Sequence, residues 1–177
     1  MSAPIITYST TSRHALLIQQ LTRSYLNNYE KENENTSREI FSSTIALVHA
    51  GTKKFPPAIK LLDANDFDIY PDLDLEYVEP DVFIFHYNPY VQNKKQTRTL
   101  GQPDLIIEIW SDNNTEADRD LKKFLYSSSP ITETWYIEQS SNVIEAYLGE
   151  KRLPDLNMEE ILITQSNIKI DLQRLSL

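Results

Sequence analysis

The sequence predicts an α/β (α+β) domain built on a mixed central β-sheet flanked by helices. Three observations carry that expectation. An apolar stripe of helical spacing runs through Leu17, Ile18, Leu21 and Tyr25. Two β-branched and aromatic runs, one from Val82 to Phe85 and one from Leu105 to Trp110, read as strands covered on both faces. A second helical segment follows, and then further short strands, so the order is one helix, three strands, one helix, then more strands.

Each element follows from local chemistry. Thr11 or Ser12 caps the first helix, and Asn27 and Asn28 begin its end; the polar run from Tyr29 to Asn35 reads as an exposed helix end and loop. A strand is expected over Ile40 to Val48. Gly51-Thr52-Lys53-Lys54, a proline-containing connection and an acidic, solvated segment from Asp63 to Asp74 come next. The run from Glu79 to Phe85 is the second strand and Asp104 to Trp110 the third, separated by the loop Asn93 to Arg98 and a turn at Gly101-Gln102-Pro103.

Thr115 and Asp118 stand at capping-box spacing, with Asp in place of the usual Glu, and open a helix that runs to about Tyr126. On a wheel of about 100° per residue, Ala117, Leu121, Phe124 and Leu125 form its buried face. Asp118 and Lys122 flank that face, while Arg119 and Lys123 point away. Thr134 to Glu138, Val143 to Leu148, Ile161 to Ile163 and Ile168 to Leu172 read as strands, with a hairpin turn at Gly149-Glu150.

Composition narrows the function. The 177 residues make one domain, 1–177, with no repeat and no linker-like tract. Three scattered glycines build neither a dinucleotide loop nor a Walker loop. No cysteine is present, which removes disulfides, thiolate zinc sites and cysteine nucleophiles, and fits a reducing, cytoplasmic home. No apolar run approaches the roughly 20 residues of a membrane-spanning helix, and the start lacks a basic segment followed by an apolar one. A net charge of -9 argues against a broad, nonspecific grip on polyphosphate, so contact with nucleic acid must rest on local basic patches. Lys53, Lys54, Lys94, Lys95, Arg98, Arg119 and Lys123 supply them.

The sharpest local anomaly is Glu108, with Ile106 and Ile107 before it and Ile109 and Trp110 after it. An unpaired charge buried there costs several kcal/mol or more, so a lysine or a metal is expected beside it. Asp81 opens the preceding strand, and adjacent strands can bring both carboxylates to one edge of the sheet. Two carboxylates favour a hard cation such as Mg²⁺, with water completing its octahedron. Lys122, facing the sheet, is placed to orient a metal-bound water or to offset phosphate charge. Each residue also has a structural reading: Glu108 as half of a buried ion pair, Asp81 as a turn residue, Asp118 and Lys122 as a helix-surface pair.

These residues carry a family resemblance. Pro80-Asp81, then Pro103 to Ser111 with Glu108 at its centre, then Asp118-x-x-x-Lys122-x-x-x-Tyr126, then Glu133-Thr134-Trp135-Tyr136-Ile137 resemble the Uma-type restriction endonucleases. These are bacterial proteins of the PD-(D/E)xK nuclease superfamily. The clear match spans about residues 79 to 138, and a weaker one takes in Ser12-Arg13-His14 and Asn167 to Leu172.

The resemblance implies a restriction-endonuclease-like core in which Asp81 and Glu108 bind Mg²⁺ (or Mn²⁺). Trp110 stands where the superfamily motif has its lysine, and the family pattern places that lysine on the following helix, at Lys122. The implied activity is hydrolysis of DNA phosphodiester bonds. His14 matches a histidine of the family, Asp118 is a further accessory candidate, and superfamily habit implies a homodimer. The rival reading is a catalytically inactive nuclease-fold binding protein with a structural Glu108–Lys122 pair.

Overall fold

The computed structural model describes residues 11–32, 38–42, 46–50, 75–86, 98–99 and 102–173. Helix α1 covers Thr11–Glu32. Its end falls within the helix end and loop expected from Tyr29 to Asn35; Glu30, Lys31 and Glu32 are good helix formers and no glycine or proline interrupts them. Among the described residues six strands, not three, lie between α1 and the next helix: β1 (Arg38–Ser42), β2 (Ala46–Ala50), β3 (Leu75–Val78), β4 (Val82–His86), β5 (Arg98–Thr99) and β6 (Leu105–Trp110). Helix α2 is Glu116–Ser127. After it come β7 (Glu133–Glu138), β8 (Val143–Leu148), β9 (Lys151–Arg152), β10 (Leu156–Asn157), β11 (Ile161–Ile163) and β12 (Lys169–Asp171).

The main sheet runs β1-β4-β6-β7-β8-β10, with β9 paired to β8. Its neighbours are antiparallel except β6 and β7, which are parallel and joined through α2. A parallel pair needs such a crossover. The single strand expected over Ile40 to Val48 divides instead. β1 pairs with β4 in the main sheet, and β2 pairs with β3 and β5 in a separate three-stranded sheet. That change of partner is a tertiary event that residue periodicity does not carry. The acidic segment Asp63 to Asp74, and Lys53, Lys54, Lys94 and Lys95, lie outside the described residues.

Alternation along the strands sorts side chains onto two faces. Val82, Ile84, Leu105, Ile107, Ile109, Trp135, Ile137, Ile144 and Ala146 form one core with Leu17, Leu21 and Tyr25 of α1 and with Leu162 and Ile170 of the β11–β12 hairpin. Leu17 and Leu21 are each 1% exposed, a burial worth about 1.5–3 kcal/mol apiece. Ser24 Oγ fixes the helix to β12, donating to the Asp171 carbonyl at 2.7 Å and accepting from its N–H at 2.8 Å. On the opposite face Phe83, Phe85, Ile106, Trp110 and Tyr136 pack with Leu125 and Tyr126 of α2.

Helix α2 is seated differently from the wheel expectation. Thr115 is its N-cap as expected: its Oγ1 accepts from the Asp118 N–H and donates to Asp118 Oδ2. Leu125 is buried as expected, but Leu121 is 52% and Phe124 58% exposed, and Ala117 is exposed as well. Arg119 and Lys123 turn toward the sheet rather than away. The cause lies beneath the helix, where β6, β7 and β8 present Glu108, Glu138 and Glu145 on one face. Lys122 pairs with Glu108, Arg119 with Glu138 and Lys123 with Glu145. Satisfying three partly desolvated carboxylates outweighs burying two more apolar side chains.

Candidate active site

The site lies on the rim of the main sheet where β4 begins and β6 ends. Val82 pairs with Ile107 across the antiparallel strands, so continuing the register by one residue sets Asp81 opposite Glu108. Asp81 is 8% exposed and Glu108 1%. Asp81 Oδ2 accepts the Ile109 N–H at 2.7 Å, which fixes the carboxylate against β6. His14, near the start of α1, sets Nε2 3.1 Å from Asp81 Oδ1.

Glu108 is held from above by α2. Lys122 Nζ donates to Oε1 at 2.9 Å and to Oε2 at 2.7 Å, and Tyr126 donates its hydroxyl to Oε1 at 2.6 Å. These contacts require Lys122 and Tyr126 to share one helix stripe, which their spacing of four provides. The ammonium also donates to the Glu79 carbonyl at 3.3 Å. Burial pushes Glu108 up from 4.5 to about 7; Lys122 opposes that rise, the Asp81 charge adds to it, and the bonds from Lys122 and Tyr126 oppose it further. Burial, followed by the Glu108 charge, drives the Tyr126 phenol well above its usual range, so it remains a donor.

A cleft of about 270 Å³ opens beside these groups, lined by His14, Asp81, Glu108, Ile109, Ser111, Asn113, Asn114 and Lys122. Its far wall is the turn after β6, where Asn114 Oδ1 accepts from both the N–H and the hydroxyl of Ser111. Arg119 braces that turn by donating to the Ser111 carbonyl at 3.2 Å while it pairs with Glu138.

The donor set suits a hard cation that keeps much of its water. Among the described residues no group of three or more His, Cys, Asp or Glu side chains gathers in metal-holding geometry. Two carboxylates beside a polar cleft match the one or two protein carboxylates by which Mg²⁺ is usually held. With Glu108 ionised, two carboxylates outnumber the single ammonium beside them, which favours an added positive charge.

The structure thus brings together Asp81, Glu108, Lys122 and His14. Asp118 is taken up by the α2 cap, and Arg119 and Lys123 are each paired with a glutamate of the sheet. Arg98 opens β5. Tyr126, to which the motif alone assigns no role, grips Glu108. Its signal was the spacing of four from Lys122 on a helix crossing an acidic strand.

A solved structure, that of a putative nuclease from Anabaena variabilis, superposes with a TM-score of 0.58 at 10% identity, covering 98% of this chain and 83% of that one. At that identity the likeness speaks for the fold alone. No curated protein matches the chain. No described helix is long and apolar enough to cross a membrane. The Uma2 family, whose description is "putative restriction endonuclease", matches residues 9–175, and with nearly the whole chain inside that match the protein belongs to the Uma2 family.

Proposed function

We propose that the chain is a Mg²⁺- or Mn²⁺-dependent DNA endonuclease, with Asp81 and Glu108 as its metal carboxylates and Lys122 as its lysine. The observation that supports this reading best is the juxtaposition of the three at one cleft: carboxylates on facing strands, with an ammonium from the following helix bound to one of them. A metal bound there would polarise the scissile phosphate and acidify a water molecule. Asp81 keeps its orientation through the Ile109 N–H, so it needs little rearrangement to bind a cation. Lys122 Nζ, which lines the cleft, is placed to hydrogen-bond the attacking water and to offset charge developing on the phosphate oxygens. Ser111 and Asn113 line the same cleft with further polar groups for substrate.

A second reading has its own observation. Both Glu108 oxygens are bonded to Lys122, and Arg119 and Lys123 are held by glutamates, so the cations of α2 are already engaged within the fold. A binding protein that keeps the nuclease fold, with a structural Glu108–Lys122 pair, accounts for that.

Cleavage of linear, supercoiled, single-stranded and branched DNA with Mg²⁺ or Mn²⁺ separates the two. The nuclease reading expects metal-dependent products from the wild type and none from Asp81→Asn, Glu108→Gln or Lys122→Met. Full activity in Glu108→Gln removes the assignment. An inert wild type, together with a melting temperature unmoved by saturating metal, moves the protein to the binding class.

A further inference from the structure

Trp110 stands two residues beyond Glu108 on β6, so strand alternation turns both side chains to the α2 face. A lysine at this position would carry its own ammonium toward Glu108. The indole instead fills the space. It is 2% exposed and lies parallel to the Tyr136 ring, with centroids 5.3 Å apart and planes 6° from each other. Over this one ring sit two cations from α2: the Arg119 guanidinium carbon at 5.3 Å from the centroid and Lys122 Nζ at 5.9 Å.

The arrangement solves a specific problem. Arg119 and Lys122 are one helical turn apart and repel each other, and two carboxylates, Glu138 and Glu108, lie within reach of the helix. An aromatic face attracts cations through its quadrupole, more strongly when water is excluded. The indole therefore gives Lys122 a surface to rest on while Arg119 is drawn to Glu138. An aliphatic side chain would fill the volume but offer no attraction, leaving the 23%-exposed Lys122 side chain to be held by its bonds to Glu108 and the Glu79 carbonyl alone.

Resting on the nuclease reading above, we propose that Trp110 is a positioning residue: its ring seats the Lys122 ammonium against Glu108 and at the cleft, in place of a lysine on the strand itself. It touches neither substrate nor metal and acts through Lys122.

The test compares Trp110→Phe, which keeps a ring, with Trp110→Leu, which does not, and adds Trp110→Lys in a Lys122→Met background. One readout needs no activity: the ε-CH₂ proton signals of Lys122 in a protein labelled with ¹³C-lysine, assigned by their loss in Lys122→Met. Seated over the ring, these protons are shifted upfield in the wild type, less so in Trp110→Phe, and not at all in Trp110→Leu. The kinetic readout is DNA cleavage with Mg²⁺. Trp110→Leu lowers kcat by about tenfold with KM within about twofold, Trp110→Phe by less, and Trp110→Lys restores cleavage that Lys122→Met lacks.

Unshifted Lys122 signals in the wild type overturn the proposal, as does a folded Trp110→Leu with wild-type kcat. If Trp110→Leu does not fold, Trp110→Phe and the double variant still decide. If the wild type cleaves no DNA offered, the nuclease reading fails and the carbon–proton spectrum alone settles whether the ring seats the lysine.

Discussion

Lys122 meets Glu108 across the gap between α2 and β6 in a two-pronged ion pair, its ammonium 2.9 Å from one carboxylate oxygen and 2.7 Å from the other. The glutamate side chain is 2% exposed and the lysine 23%, so the two ends of the pair are not equivalent. Removing the lysine leaves a buried carboxylate held, among the described residues, by Tyr126 alone, whereas removing the glutamate leaves an ammonium that can still reach the Glu79 carbonyl and water. Lys122→Met should therefore cost about 2–3 kcal/mol above pH 8, less than a fully enclosed pair because Glu108 can escape by taking up a proton. Below pH 6 the cost should nearly vanish. Urea melts at pH 5.5 and 8.5 measure both, and an equal loss at the two would show that packing, not charge, is what the lysine contributes.

The titration of Glu108 gives the wild type a pH dependence of definite sign. Its folded value is raised from 4.5 to about 7, so between those limits the native state holds a proton that the unfolded chain has released. The contribution of this group to stability is full below the lower limit, falls as pH rises through the interval, and is lost above the upper one. Integrated over that interval the fall is about 3 kcal/mol. Glu108→Gln should flatten the slope of unfolding free energy between pH 5 and 7; a variant with the wild-type slope would assign the proton elsewhere.

Tyr126→Phe isolates the other clamp on the same carboxylate. The ring is fully buried and packs with Phe83, Ile106 and Leu125, and Phe keeps that packing. What is lost is a 2.6 Å hydrogen bond to Oε1. Because that bond favours the ionised acid, Glu108 should titrate at higher pH in the variant, and stability should drop by about 1–2 kcal/mol above pH 8. Denaturation across a pH series reads both; an unmoved midpoint would mean that Lys122 alone governs the carboxylate.

How far the sequence announced this arrangement differs from residue to residue. Glu108 was visible because a charge interrupts an apolar strand, and Thr115 because its spacing to Asp118 marks a helix start. The doubly covered strands β4 and β6 were visible as apolar runs, that of β6 interrupted by Glu108. The seat of α2 was not. A helical wheel ranks faces by the helix's own apolarity, and nothing local to residues 116–127 records that Glu138 and Glu145, on strands further along the chain, would share a face with Glu108. Strand parity holds that information only once the order β6-β7-β8 is known. The parting of β1 from β2 was hidden for the same reason, since choosing a partner strand is a nonlocal event.

Gly149 is the turn residue whose replacement should be felt most. It has φ of +56°, and its N–H donates to the Thr132 carbonyl at 3.1 Å, tying the β8–β9 turn to the segment before β7. A Cβ built there would come within 3.0 Å of Pro130 Cα and 3.2 Å of the Ser129 carbonyl oxygen, both backbone atoms that cannot rotate aside. Gly149→Ala should cost about 2 kcal/mol from the left-handed backbone and the contact together. Thermal melting checks it, and a variant within error of the wild type would mean that the turn shifts freely.

Glu133 does for the opposite rim of the main sheet what Glu108 does for the site, with backbone and indole donors in place of a lysine. It opens β7 with Oε1 accepting the Trp135 Nε1–H and Oε2 accepting the Gln165 N–H, both at 2.7 Å. Gln165 lies in the turn between β11 and β12, so a single carboxylate staples that hairpin to the start of the interior strand β7. Burial raises its pKa and the two bonds pull it back, which is the balance expected of a desolvated acid with its partners in place. Glu133→Ala leaves the Trp135 indole donor stranded in the core and returns the Gln165 N–H to water, an asymmetry that puts the loss at about 2–3 kcal/mol. Glu133→Gln should fall between, because its amide keeps one oxygen to accept but turns an NH₂ toward a donor. The deciding measurement is hydrogen exchange. The Trp135 indole and Gln165 amide protons should lose protection in Glu133→Ala by more than the global stability change explains, while the amides of β6 and β7 follow the global change alone. Uniform loss across all of them would make Glu133 a general contributor to the core and dissolve the staple.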